Sequence, residues 1–124
     1  MSKLYYLASP YTSDEPGLRE KRAQDVAYAA GVLIERGYNV FCPIAQSHYI
    51  AENSDVQAAG GDEVHNLWMR VDLAVLERSD ALVVLTLDGF DESRGVAEEI
   101  EFARNAGMTI WYVDPSTIGE VNLV

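Results

Sequence analysis

Four short apolar runs, Leu4 to Ala8, Tyr38 to Cys42, Ala81 to Thr86 and Thr109 to Val113, alternate with stretches whose apolar residues recur at helical spacing, and no hairpin turn joins two of them. Strands that are never neighbours through a tight turn pair in parallel, with helices as the crossovers. The run Ala81-Leu82-Val83-Val84-Leu85-Thr86 has no polar face, as expected of a central strand covered on both sides. Leu18, Val26, Ala30, Leu33 and Ile34 predict a helix over 17–36, closed by Gly37. Val64, Leu67, Trp68, Val71, Val75 and Leu76 predict a second from Asp62 to near Ser79, and residues 94–106 a third, closed by Gly107. The stretch from Ile44 to Gly61 is mixed, with Gly60-Gly61 as a break. The expected fold is a small doubly wound α/β domain, Rossmann- or flavodoxin-like, with helices on both faces of a parallel sheet.

A chain of 124 residues fits one domain, 1–124, and 48% apolar residues suffice for its core. Nine Lys and Arg against 20 Asp and Glu leave a net charge of −11, which repels nucleic-acid polymers but not a small phosphorylated ligand held by a few amides. Cys42 is the single cysteine, and with His48 and His65 it forms no zinc spacing, so neither a disulfide nor a metal is expected. No apolar run reaches membrane-spanning length and no secretory leader is visible, so a cytoplasmic protein without membrane contact is expected.

In doubly wound sheets ligands bind beyond the carboxyl ends of the strands, which directs attention to Ser9–Gly17, Pro43–Asn53 and Thr86–Gly95. Two carboxylates break the packing pattern. Glu99 shares its helical neighbourhood with Val96, Ile100, Ala103 and Ala106, whereas Glu98 and Glu101 project elsewhere. Asp72 has Trp68, Val75 and Leu76 at its i−4, i+3 and i+4 positions. Each has an ordinary explanation: a stem that packs while its head reaches water, or a pairing with Arg70 or a distant Arg. Ser93-Arg94-Gly95 enters the third helix, where Ser93 can cap it and the free amides can also take an anion, with Arg94 on phosphate or balancing Asp91 and Glu92. Tyr6 is a core aromatic or a hydroxyl that orients a carboxylate.

These pieces resemble the nucleoside 2-deoxyribosyltransferase-like superfamily, near its 2′-deoxynucleoside 5′-phosphate N-hydrolases and closest to a short bacterial and phage branch. The resemblance runs from Tyr5-Tyr6-Leu7-Ala8-Ser9-Pro10-Tyr11, through Asp72 and Ser79-Asp80-Ala81-Leu82-Val83-Val84, to Ser93-Arg94-Gly95-Val96-Ala97-Glu98-Glu99-Ile100. It implies Glu99, followed by an aliphatic residue, as the nucleophile, Asp72 as the carboxyl that helps the base depart and Tyr6 as the residue that positions Glu99. Ser9, Tyr11, His48, Trp68, Ser93, Arg94 and Gly95 are the expected substrate-binding residues. A Ser at position 93, where transferases of free nucleosides carry Asp, implies a nucleoside 5′-monophosphate, although Ser9-Pro10-Tyr11-Thr12-Ser13 replaces the usual Gly-rich loop.

The implied reaction is cleavage of a base–sugar bond without a cofactor, ending on water in an N-hydrolase or on a second base in a transferase. Glu99 is expected ionised through Tyr6, and Asp72 protonated against Trp68. A sensor that binds nucleotide without turnover and an interaction subunit are the rivals. The resemblance further implies a homodimer or tetramer, with Asp114–Val124 as the segment that reaches across.

Overall fold

The computed structural model describes residues 2–56 and 61–124. The apolar runs form β1 (Leu4–Ala8), β2 (Asn39–Phe41), β3 (Ala81–Leu85) and β4 (Thr109–Val113), and the helices are α1 (Leu18–Glu35), α2 (Pro43–Glu52), α3 (Gly61–Glu77) and α4 (Arg94–Asn105). All strands pair in parallel in the order β2-β1-β3-β4, with Tyr6 opposite both Phe41 and Leu82. This is the doubly wound α/β sheet expected from the alternation.

The side-chain period of two divides each central strand between two cores. Tyr5 and Leu7 of β1, with Ala81, Val83 and Leu85 of β3, pack on Val26, Ala29, Ala30 and Leu33 of α1. Tyr6 and Ala8, with Leu82 and Val84, face Leu76 of α3 and Val96 and Ala103 of α4. The chain winds outward from β1 to β2 and then returns across to β3. The switch point therefore lies between the carboxyl ends of β1 and β3. Asp80 anchors the start of β1, its carboxylate accepting from the Leu4 amide at 2.7 Å and its own amide donating to the Leu4 carbonyl at 2.8 Å.

One expectation changes. The mixed segment contains a helix: Pro43 ends β2 but also occupies the first turn of α2, where its missing N–H costs nothing. Gly60 of the expected break lies outside the described residues, while Gly61 begins α3. The C-terminal segment lies on its own domain, with Ile118 and Leu123 buried in the α1-side core and the Leu123 amide donating to Tyr38 Oη at 3.0 Å. Among the described residues no helix is long and apolar enough to cross a membrane.

The loops after β1 and β3 are tied together by Arg22. Its Nη1 donates to the Thr12 carbonyl at 3.0 Å and its Nη2 to the Asp88 carbonyl at 3.1 Å. Gly89 has φ +90°, and a Cβ there would stand 2.6 Å from Arg22 Nη2. Gly89→Ala is therefore expected to destabilise the domain by about 1–2 kcal/mol from the left-handed backbone alone, with the displaced guanidinium adding to it. Urea unfolding measures the loss, and an unchanged midpoint would refute the clamp.

Candidate active site

The strand ends open into a cleft of about 900 Å³, walled by the loop after β1, the first turns of α2, the inner face of α3 and the N-terminus of α4. Two of its lining residues are buried carboxyls. On α4 the residues Val96, Glu99 and Ala103 form the buried row, so Glu99 is carried into the core by the same stripe that packs the helix. It is 5% exposed, and Asp72 on α3 is 9% exposed. Tyr6, fully buried on β1, donates its phenolic hydrogen to Glu99 Oε2 in a short hydrogen bond.

Burial dominates the electrostatics of this trio. It pushes the Glu99 carboxyl up to about 8; the Tyr6 hydrogen bond opposes the rise, and the Asp72 and Glu98 charges add to it. Burial also raises Asp72, to about 6, against a smaller downward pull from His65. The Tyr6 phenol is driven far above its ordinary range by burial and by the two carboxylates, so it remains a donor. Both carboxyls are thus raised above their ordinary values, Glu99 further than Asp72. One hydrogen bond from Tyr6 does not offset the loss of water around Glu99.

Ser9, Tyr11, Trp68, Asp72, Ser93, Arg94, Gly95 and Glu99 all line the cleft. Ser9 Oγ is buried there with no hydrogen-bond partner among the described residues. Ser93 caps α4, its Oγ accepting from the Val96 amide at 3.2 Å. Ser93→Ala should cost about 1 kcal/mol of stability for the lost cap, a loss that thermal unfolding at several pH values would register. Arg94 is engaged, with Asp62 at 2.6 Å and Glu98 at 3.3 Å. Glu98 also bonds His65, so the adjacent glutamates divide between a surface clasp and the buried site.

His48 is placed elsewhere. It does not line the cleft; its Nδ1 bonds Tyr11 Oη at 2.7 Å, and its Nε2 lies 2.8 Å from Glu20 and 2.9 Å from Glu52. Glu20, His48 and Glu52 bring their donor atoms within 4.8 Å of one another, the one grouping of metal-ligand type among the described residues. Sequence reading missed His65 and Arg19, both on the cleft wall. His65 lies seven residues before Asp72, a spacing that returns to the same helix face and would have found it.

The parallel four-stranded sheet thus carries two buried carboxyls at the switch point of a doubly wound α/β domain. In the comparisons the chain matches over residues 3–114 the family described as a domain of unknown function, DUF1937. The chain belongs to that family. Among solved structures, it resembles a 2-deoxyribosyltransferase from the psychrotolerant bacterium Bacillus psychrosaccharolyticus, with TM-score 0.60 and 22% identity over 97% of this chain and 77% of that one. That likeness establishes the shared fold. No curated protein matches the chain in sequence.

Proposed function

We propose that the protein cleaves the bond between a nucleobase and its sugar, using Glu99 as nucleophile and Asp72 as acid. The observation that carries this reading is the buried pair itself, with Tyr6 bonded to Glu99 at the base of the cleft. As the bond from C1′ to the base nitrogen breaks, its electron pair leaves with the base and positive charge develops on the sugar. An ionised Glu99 beside that carbon stabilises it or bonds to it, and protonated Asp72 gives the departing base its proton. Tyr6 holds the carboxylate in place. Water on the sugar then completes an N-hydrolase reaction, and a second base completes a transferase reaction.

A nucleoside 5′-monophosphate is the form of substrate favoured by Ser93 and Gly95, because an α-helix N-terminus on the cleft wall suits an anion. The unpartnered Ser9 hydroxyl supports a further polar contact to the sugar or phosphate. The test is base release, by chromatography, from ribo- and deoxyribonucleosides and their 5′-monophosphates, with and without an acceptor base and with Glu99→Ala as control. Release that disappears in the variant supports the reading, and the acceptor separates transfer from hydrolysis. Binding without release under every condition would replace it with a nucleotide sensor.

A further inference from the structure

We propose that His48, although outside the cleft, sets how tightly the cleft holds its substrate by fixing Tyr11 on the cleft wall. The inference rests on the base–sugar cleavage proposed above and adds a positioning residue to that site.

Residues 11–17, between β1 and α1, line the cleft and belong to no helix or strand. Such a segment keeps its shape through contacts to its surroundings. Among the described residues, two side chains from outside it hydrogen-bond to it. Arg22 of α1 takes the backbone, its Nη1 donating to the Thr12 carbonyl at 3.0 Å and to the Tyr11 carbonyl at 3.4 Å. His48 of α2 takes the side chain, with Nδ1 2.7 Å from Tyr11 Oη. A phenol donates to a bare Nδ1 and accepts from a protonated one, so the link exists in either state of the ring. Arg19, also on the cleft wall, makes no hydrogen bond to the Tyr11 hydroxyl, and His48 is its one partner among the described residues.

His48 is itself held. Its Nε2 meets Glu20 of α1 at 2.8 Å and Glu52, one turn further along α2, at 2.9 Å, and only 17% of its side chain is exposed. Gln24 donates to Oε1 of Glu20 at 3.2 Å, leaving Oε2 to face the ring. Two helices thus grip one ring nitrogen while the other grips the tyrosine. Without that bond the Tyr11 side chain gains freedom in the free protein, which bound substrate must then remove. The cost falls on binding, because Glu99, Asp72 and Tyr6 stand on α4, α3 and β1 and none hydrogen-bonds to Tyr11 or His48.

The test measures kcat and KM for the compound that releases base fastest, in the native protein, Tyr11→Phe, His48→Ala, His48→Asn and the Tyr11→Phe/His48→Ala double variant. Tyr11→Phe and His48→Ala should each raise KM by roughly fivefold to tenfold with kcat within about twofold. The double variant should match either single one, because both remove the same bond. His48→Asn, whose amide both donates and accepts close to the position of Nδ1, should recover part of the loss. Thermal unfolding checks that each variant is folded, and Tyr11→Phe tests the bond with His48 and its carboxylates left in place. Unchanged KM in folded Tyr11→Phe, effects that add in the double variant, or a loss carried by kcat would overturn the proposal while leaving the cleavage reading intact. No base release by the native protein overturns both.

Discussion

Glu99→Gln is expected to lose turnover by a factor on the order of 10³ or more and, in the same molecule, to become more stable at pH 8. The two effects share one cause. Folding raises the Glu99 carboxyl from its ordinary 4.5 to about 8, so between these values the folded chain keeps a proton that the unfolded chain has released. Stability falls with pH wherever the unfolded state binds fewer protons. The contribution of protonated Glu99 is therefore complete below pH 4.5 and is lost progressively up to pH 8. A glutamine still accepts the Tyr6 hydrogen bond but has no charge to bury. The gain should approach about 5 kcal/mol at pH 8 and above, because each tenfold weakening of the acid on folding corresponds to about 1.4 kcal/mol, and it should vanish near pH 4. Thermal unfolding of both proteins at pH 4.5 and 8 reads it directly, as a rise of roughly 10 °C or more at the higher pH. A variant that is inactive but gains no more over the native protein at pH 8 than at pH 4.5 would show that Glu99 is ionised in the folded protein.

The second large effect is on the pH profile. Catalysis as proposed uses ionised Glu99 and protonated Asp72, whereas burial sets their values at about 8 and about 6. At pH 7 only a minor fraction of molecules carries the productive combination. kcat/KM should rise with slope one to about pH 6, run level, and fall above about pH 8. Removing the Tyr6 hydroxyl takes away the interaction that lowers Glu99, so Tyr6→Phe should lower the plateau and move the upper limb to higher pH. Asp72→Asn removes both the acid and a charge that raises Glu99, leaving, on a much reduced rate, one rising limb that levels a little below pH 8 instead of at about pH 6. Unmoved limbs in Tyr6→Phe would show that the phenol packs without tuning its partner.

The burial of the candidate residues was legible in the sequence, because polar groups stand where periodicity demands apolar ones. Glu99 stood out through Val96, Ile100 and Ala103, and it is buried among Val96 and Ala103. Asp72 stood out through Trp68 and Leu76, and Leu76 packs with Tyr6 in the same core. Ser93 was readable as a cap because its offset to Val96 is local. The engagement of Arg94 with Asp62 was not readable, since 32 residues separate them and only the docking of α3 on α4 brings them together. His48 looked like a cleft residue because its segment follows β2; the unrecognised turn of α2 carries it instead to Glu20 and Tyr11.

Alternation of apolar runs and helical periods by itself determined the parallel sheet, the two cores and the presence of two misplaced carboxyls, because each depends on residues within a few positions of one another. Tertiary structure alone decided how far each carboxyl is raised. Burial depth, the reach of Tyr6 from β1 and the charge of Asp72 across the cleft all depend on how distant elements pack. In a low-dielectric interior those distances outweigh the intrinsic acidity that the residue names imply.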